Sequence, residues 1–174
     1  GHMEKVILSA HLLAFEERLI EDTVRKLTIH RAGLRKLAVH VSDAWEMVRL
    51  RQLSAALPRT IVIAMGTAGV LSRMAPTRFG LNLTYAPLNP GSATVKAQPT
   101  VDLLNQFRRG EHHTLHLLGL FGGPQTIHSP GMRVYNRLFT QLDLPWQYVT
   151  LPLTSALHLH PILEELSMGG AAVT

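Results

Sequence analysis

A lysine and a histidine on neighbouring apolar runs are the residues of this sequence whose types and spacing best suit chemistry. Over Leu34 to Val41, strand alternation puts Lys36, Ala38 and His40 on one face and Leu37, Val39 and Val41 on the other. The aliphatic face suits packing under helices, so Lys36 points inward, where Ile7, Ser9 and His11 of the preceding run would also point. A lysine among apolar walls loses solvation of its ammonium form, and its pKa falls. The neutral amine can attack a ketone and form an imine, and a nearby histidine can then move protons. Arg73 offers a rigid fork that fits a carboxylate. Without further context, a lone Lys or His near a strand is more often a surface or hydrogen-bonded polar group.

The elements that must position these residues follow from the apolar pattern. Val6 to Ala10 reads as a strand and Arg18 to Ala32 as a helix, with Leu19, Ile20, Val24 and Leu27 on one face and Gly33 as its stop. Leu34 to Val41 is the second strand. Ser42-Asp43 offers an N-cap for a helix that runs to about Leu57 and is ended by Pro58. Thr60 to Met65, rich in β-branched residues, is the third strand. Gly66 and Gly69 open a turn into a short helix over Val70 to Pro76, and Leu81 to Leu88 reads as a fourth strand. A proline-bearing loop and a helix over Thr100 to Arg108 follow. The charged and imidazole-rich stretch from Arg108 to His113 predicts a domain boundary. Beyond it come a strand (Thr114 to Phe121), a helix (Met132 to Leu142), a strand (Gln147 to Leu151), a helix (Leu159 to Leu166) and the start of a strand at Ala171 to Thr174.

Strands alternating with helices predict an α/β fold of parallel βα units. Four units precede the boundary and two follow it. A closed barrel needs eight strands, so the first segment is half a barrel or an open sheet, and periodicity does not separate the two.

The 174 residues are 46% apolar and 17% charged, a composition that buries a core and does not read as disorder. The chain has no cysteine, which excludes disulfides and thiolate metal sites and fits a reducing compartment. No apolar run reaches the ~20 residues of a membrane span. The net charge of +5 is spread in ones and twos, with Arg108-Arg109 the densest cluster, and reads as a solvated surface rather than a nucleic-acid face. Gly1-His2-Met3 reads as a cloning scar. Among the ten histidines, His112-His113 and His158 with His160 are the candidates for a metal site, but no spacing matches a recognised ligand set and none is expected. Gly66 with Gly69 and Gly119 with Gly122 are turn glycines rather than a dinucleotide fingerprint, so no cofactor is expected.

Several of these residues carry a family resemblance. Ile7-Leu8-Ser9-Ala10-His11 is similar to the strand of type I 3-dehydroquinate dehydratase that ends in its catalytic histidine, and Arg35-Lys36-Leu37-Ala38-Val39 to the strand with its Schiff-base lysine. Ile63-Ala64-Met65-Gly66-Thr67-Ala68-Gly69-Val70-Leu71-Ser72-Arg73 resembles the family's Met-Gly…Ser-Arg signature. Phe79-Gly80 and a strand ending near Tyr85 follow at the expected distance. Thr94 falls where the family usually has a serine, and Gln98 where it has a substrate-binding glutamine. Downstream, Leu117-Leu118-Gly119-Leu120-Phe121-Gly122-Gly123-Pro124 and His128-Ser129-Pro130-Gly131-Met132-Arg133-Val134-Tyr135-Asn136 resemble the opening of shikimate dehydrogenase. Gly169 to Thr174 resembles the approach to that family's next strand.

The resemblance implies a dehydratase-like half-barrel over residues 4–110, part of a (β/α)8 barrel, followed over 111–174 by the start of a shikimate dehydrogenase-like substrate domain. It implies catalytic roles for Lys36 and His11 and substrate-binding roles for Arg73, Thr94, Gln98 and Ser129. The order is that of plant bifunctional enzymes, the fungal arom polypeptide and the fungal quinate repressor. The sequence departs from the pattern in places. Leu12-Leu13 follows the histidine where the family has Asp-Phe, the dehydrogenase motif has Gly131 and Met132 for its second serine and proline, and the barrel's opening four strands have no counterpart. Kept architecture with eroded motifs leads to the expectation of a fragment of a quinate-repressor-like regulator. Such a regulator would bind 3-dehydroquinate, quinate or shikimate, contact an activator protein and act in the cytoplasm or nucleus. The alternative is a piece of a bifunctional or pentafunctional shikimate-pathway enzyme. The open sheet predicts either self-pairing as a homodimer or coverage of the open side by the second segment.

Overall fold

A computed structural model describes residues 3–80, 83–89, 91, 98–108 and 116–174. The fold is α/β with two parallel three-stranded sheets. The first, in order β1-β2-β3, joins β1 (Ile7–Leu12), β2 (Leu34–His40) and β3 (Thr60–Met65). The second, in order β5-β4-β6, joins β4 (His116–Gly122), β5 (Trp146–Pro152) and β6 (Met168–Val173). The helices are α1 (Glu17–Ile29), α2 (Ala44–Ser54), α3 (Val70–Met74), α4 (Val101–Arg108), α5 (Gly131–Gln141) and α6 (Leu159–Glu165).

Alternation decides which face of the first sheet is covered. Leu37, Val39 and Val41 are fully buried against Ile20 and Leu27 of α1 and Met47, Val48 and Leu50 of α2. Leu117 and Phe121 of β4, Val149 and Leu151 of β5 and Ile162 and Leu166 of the α6 region join the same apolar cluster, so one core runs across both sheets. The opposite face of the first sheet holds a smaller cluster of Ala38, Ile61, Ile63 and Met65.

Asp43 shows how local sequence fixes an element. Its carboxylate accepts from the Glu46 amide at 3.0 Å, and the Glu46 carboxylate accepts from the Ser42 amide at 2.6 Å. This reciprocal cap holds the start of α2, a contribution of about 1 kcal/mol. The other Asp43 oxygen accepts from the Thr154 hydroxyl, so the same residue ties the second sheet to the first.

Three sequence expectations are corrected. The expected fourth strand is not formed over the described residues 83–88, so three strands rather than four lie among the described residues of the first segment. The helix before β2 ends at Ile29, short of Gly33. Gly33 instead lies where a Cβ would meet the Glu4 carbonyl oxygen at 1.9 Å, and it permits close backbone passage. Finally, the second segment does not cover the inner face of the first sheet. Its contacts run through α2 and the turn after α3: Glu165 meets Arg51 and Gln52, Arg78 donates to the Leu166 carbonyl, and His158 stacks on Trp45 at 4.5 Å. Ile7, Ser9 and His11 remain exposed. Most of the expected boundary at 108–113 lies outside the described residues.

Among the described residues no helix is long and apolar enough to cross a membrane, and no group of three or more potential metal ligands comes together. His158 is engaged by Trp45, and His160 faces Glu164 at 3.7 Å. His112 and His113 lie outside the described residues.

Candidate functional site

The parallel register sets the geometry of the inner face. Ser9 pairs with Lys36 and His11 with Ala38, while Lys36 pairs on its other side with Ile61 and Ala38 with Ile63. Paired residues in a sheet share a face. Lys36 and His11 therefore stand on the same face, one strand over and two residues along, with Cα atoms about 8 Å apart by ideal sheet spacings. Ile61, Ile63 and Ala38 supply the apolar floor.

Arg73 reaches this face by a turn that the local sequence dictates. Gly66, at φ 88°, ends β3 in a conformation that side-chain-bearing residues rarely adopt, and a Cβ there would crowd the Val41 carbonyl and the His40 ring. Gly69 packs against the Ala64 backbone with no room for a Cβ. Ser72 locks the turn: its hydroxyl donates to the Gly69 carbonyl at 2.8 Å and accepts from the Ala64 amide at 2.9 Å. Arg73, next in sequence, is buried to 7% exposure and donates through Nη1 to the Tyr85 carbonyl at 3.2 Å. Gln98 donates to that same carbonyl at 2.9 Å. The Tyr85 ring lies under the lysine, with Nζ 4.6 Å from its centroid, a cation–π distance.

The electrostatics follow from this crowding of cations over an apolar floor. Burial, and then the positive Arg73, hold the Lys36 ammonium below its ordinary pKa. Burial, and then the positive Lys36, push His11 down as well. Burial alone lowers Arg73, which still carries its charge. The site is thus a concentration of cationic groups with a lysine shifted towards the neutral amine. It can attract a carboxylate, offer a nucleophilic nitrogen to a carbonyl carbon and exchange protons through an imidazole.

Lys36, His11, Arg73 and Gln98 are brought to one region, linked through Tyr85 and the sheet register. Thr94 lies outside the described residues. Ser129 is elsewhere, between β4 and α5, where its hydroxyl accepts from the Gly131 amide at 3.2 Å. Tyr85 was not among the residues expected in the site, although both its ring and its carbonyl organise it. The only sequence signal was its place after the Phe79-Gly80 turn, because periodicity assigned that segment to a strand.

Comparison with known proteins places these observations. The family described as type I 3-dehydroquinase matches residues 1–114. The chloroplastic bifunctional 3-dehydroquinate dehydratase/shikimate dehydrogenase of Arabidopsis thaliana is 31% identical over 153 residues, covering 84% of this chain and 25% of that protein. Among solved structures, the dehydroquinate dehydratase and shikimate dehydrogenase from S. pombe AroM aligns with 97% of this chain and 33% of its own, at 25% identity and TM-score 0.46. The 3-dehydroquinate dehydratase from Aquifex aeolicus aligns with 59% of this chain and 47% of its own, at 26% identity and TM-score 0.50. The chain thus spans a quarter of the length of the bifunctional plant relative and just under half of the Aquifex dehydratase. On the match over residues 1–114, the chain belongs to the type I 3-dehydroquinase family.

Proposed function

We propose that the first segment carries the imine-forming part of a dehydratase site acting on 3-dehydroquinate, within a bifunctional shikimate-pathway protein whose second activity is shikimate dehydrogenase. In this reading the first sheet is a sector of a barrel. Arg73 holds the substrate carboxylate by a charge-assisted fork. The neutral Lys36 amine adds to the substrate ketone, and loss of water from the carbinolamine gives the imine. His11 carries protons to and from the reacting carbons and the departing hydroxyl. The carrying observation is the shared face of Lys36 and His11, set by the β1–β2 register, with Arg73 turned onto it. Support also comes from the family match and from the plant relative, which is named for both activities.

Borohydride trapping tests this reading. Incubation with 3-dehydroquinate and borohydride should add the mass of the reduced adduct to wild-type chain and not to Lys36→Ala. Absence of an adduct, or its persistence in Lys36→Ala, overturns the proposal.

A second reading, a regulator that binds a pathway metabolite without turning it over, is favoured by one observation. After His11 the chain carries Leu12-Leu13, with Leu13 87% exposed, where the family's acidic-aromatic pair would stand. Calorimetry with quinate, shikimate and 3-dehydroquinate beside a turnover assay separates the two. Saturable binding with no adduct favours the regulator, and an adduct favours the enzyme.

A further inference from the structure

The free edge of the second sheet carries one backbone position that its neighbours leave open. β5 is an edge strand, so every second residue turns its N–H and C=O away from β4. Tyr148 is one of these, because the Asn136 side chain meets both of its backbone groups. By the same parity Thr150 and Pro152 also face outward. Among the described residues no protein group bonds the outward N–H or C=O of Thr150. Pro152 has no N–H to offer.

The reason lies in α5. Four residues along a helix advance about 6 Å, and two along a strand about 6.6 Å. Met132 therefore stands beside Thr150 as Asn136 stands beside Tyr148, and the Thr150 hydroxyl donates to the Met132 sulfur at 4.0 Å. A thioether has no hydrogen to donate to a carbonyl and accepts only weakly. The carboxamide that closes one outward pair has no counterpart at the next.

Thr150 lines a cavity of about 280 Å³ together with Val149 and Leu151. Successive strand residues point to opposite faces, so a cavity touched by all three lies along the edge of β5. Buried Leu71 and Met74 of the first segment wall it from the other side, and exposed Thr67 and His128 open it to solvent. A cavity of roughly 150 Å³ takes a benzene ring, so this one has room for a substituted ring. An N–H and a C=O turned towards apolar walls require a partner. Asn136 shows which kind fits, since one carboxamide accepts from the Tyr148 amide at 2.7 Å and donates to the Tyr148 carbonyl at 2.8 Å. An extended peptide suits the edge poorly. Strand addition uses a row of outward pairs, whereas here Asn136 occupies the pair on one side and Pro152 lacks its donor on the other.

We propose that this cavity binds a small aromatic carboxamide or lactam, whose carbonyl accepts from the Thr150 N–H and whose N–H donates to the Thr150 carbonyl. The apolar walls take the ring. The site is separate from the Lys36 chemistry, since Arg73 turns to the Tyr85 carbonyl while Leu71 and Met74 face the cavity.

Benzamide serves as the probe, followed through the backbone amide resonances of the wild-type chain and by thermal unfolding. It should bind saturably, shift the Thr150 amide among the most affected resonances and raise the melting temperature. Benzoate has the same shape without the N–H, so it should bind at least about tenfold more weakly. Met132→Asn supplies the missing carboxamide from the helix and should bind benzamide at least about tenfold more weakly than wild type. Should that variant fail to fold, Val70→Phe, at a half-buried lining position, fills the cavity and should show the same loss. Leu157→Ala, at an exposed residue outside the cavity, should bind as wild type does. Without benzamide, the Thr150 resonance should not move when the protein is diluted; movement would give the edge to a second copy and overturn the proposal. Absence of saturable binding, equal affinity for benzoate, undiminished binding in folded Met132→Asn or Val70→Phe, or an equal loss in Leu157→Ala would each overturn it as well.

Discussion

Lys36 on one sheet and Asn136 beside the other meet different fates in similar surroundings. Both sheets are parallel and three-stranded, and both pack against helices. In the first, Lys36, His11 and Arg73 are drawn together over an apolar floor, and their protonation equilibria are displaced by burial and by one another. In the second, polar side chains before and along α5 are taken up by the backbone. Asn136 donates to the Tyr148 carbonyl at 2.8 Å and accepts from the Tyr148 amide at 2.7 Å. Thr126 donates to the Gly123 carbonyl at 2.6 Å, and Ser129 accepts from the Gly131 amide. Side chains that satisfy the backbone hold a fold, whereas cations left crowded on an open face store the electrostatic work that chemistry can use.

Breaking the Asn136 clamp should have the largest effect on stability. β5 is an edge strand, and the Asn136 amide imitates a neighbouring strand at Tyr148. Asn136→Ala removes two hydrogen bonds and leaves a part-buried N–H and C=O without partners. It should lower the unfolding free energy by about 2 kcal/mol in urea titration. The Lys36 adduct with 3-dehydroquinate should survive at temperatures where the protein stays folded. An adduct lost in parallel with stability would mean that the two sheets do not divide the work in this way.

Ser129 sharpens the same contrast at smaller cost. Its hydroxyl accepts from the amide of Gly131, the first α5 residue, in a local side-chain turn around Pro130, so Ser129→Ala should destabilise by about 0.5–1 kcal/mol. The yield of the Lys36 adduct should be unchanged at equal fraction folded. A variant of unaltered stability would remove Ser129 from the structural side of the comparison.

How far these roles could be read from sequence varies with the residue. Alternation alone put Lys36 and His11 on one face, because side-chain parity in a strand follows directly from chain geometry. Ser42-Asp43 was recognisable as a cap because short polar side chains stand directly before a helix-period run. The segment Leu81 to Leu88 reads as a strand in sequence, yet its described part, 83–88, forms none. It alternates like a strand, but a strand also needs a ladder, and the Tyr85 carbonyl is instead occupied by Arg73 and Gln98 while the Pro87 carbonyl accepts from Val101. Those bonds come from residues 12 and 13 positions away in the first case and 14 in the second, beyond the reach of any local pattern. The packing of the second segment on α2 was equally hidden, since it depends on pairs such as Asp43 with Thr154, 111 residues apart.

The displaced lysine gives the subtlest test of the contrast, through the pH dependence of stability. The folded-state pKa of Lys36 lies below its ordinary value, first through burial and then through Arg73. Between the folded pKa and 10.5, the unfolded chain binds more protons at this position than the folded chain does, so stability contributed by Lys36 rises with pH across that window. At pH values below the folded pKa, the ammonium is charged in both states, and the folded state bears the whole cost of holding it beside Arg73. Lys36→Met removes that cost and keeps the apolar stem against the Tyr85 ring. The variant should therefore melt above wild type at neutral pH, and the gap should narrow as pH climbs through 10.5, above which the wild-type amine is neutral folded or unfolded. Paired thermal melts across that range measure it. A gap that stays constant with pH would mean that the lysine is solvated as an ordinary surface group, and the first sheet would then store no more electrostatic work than the second.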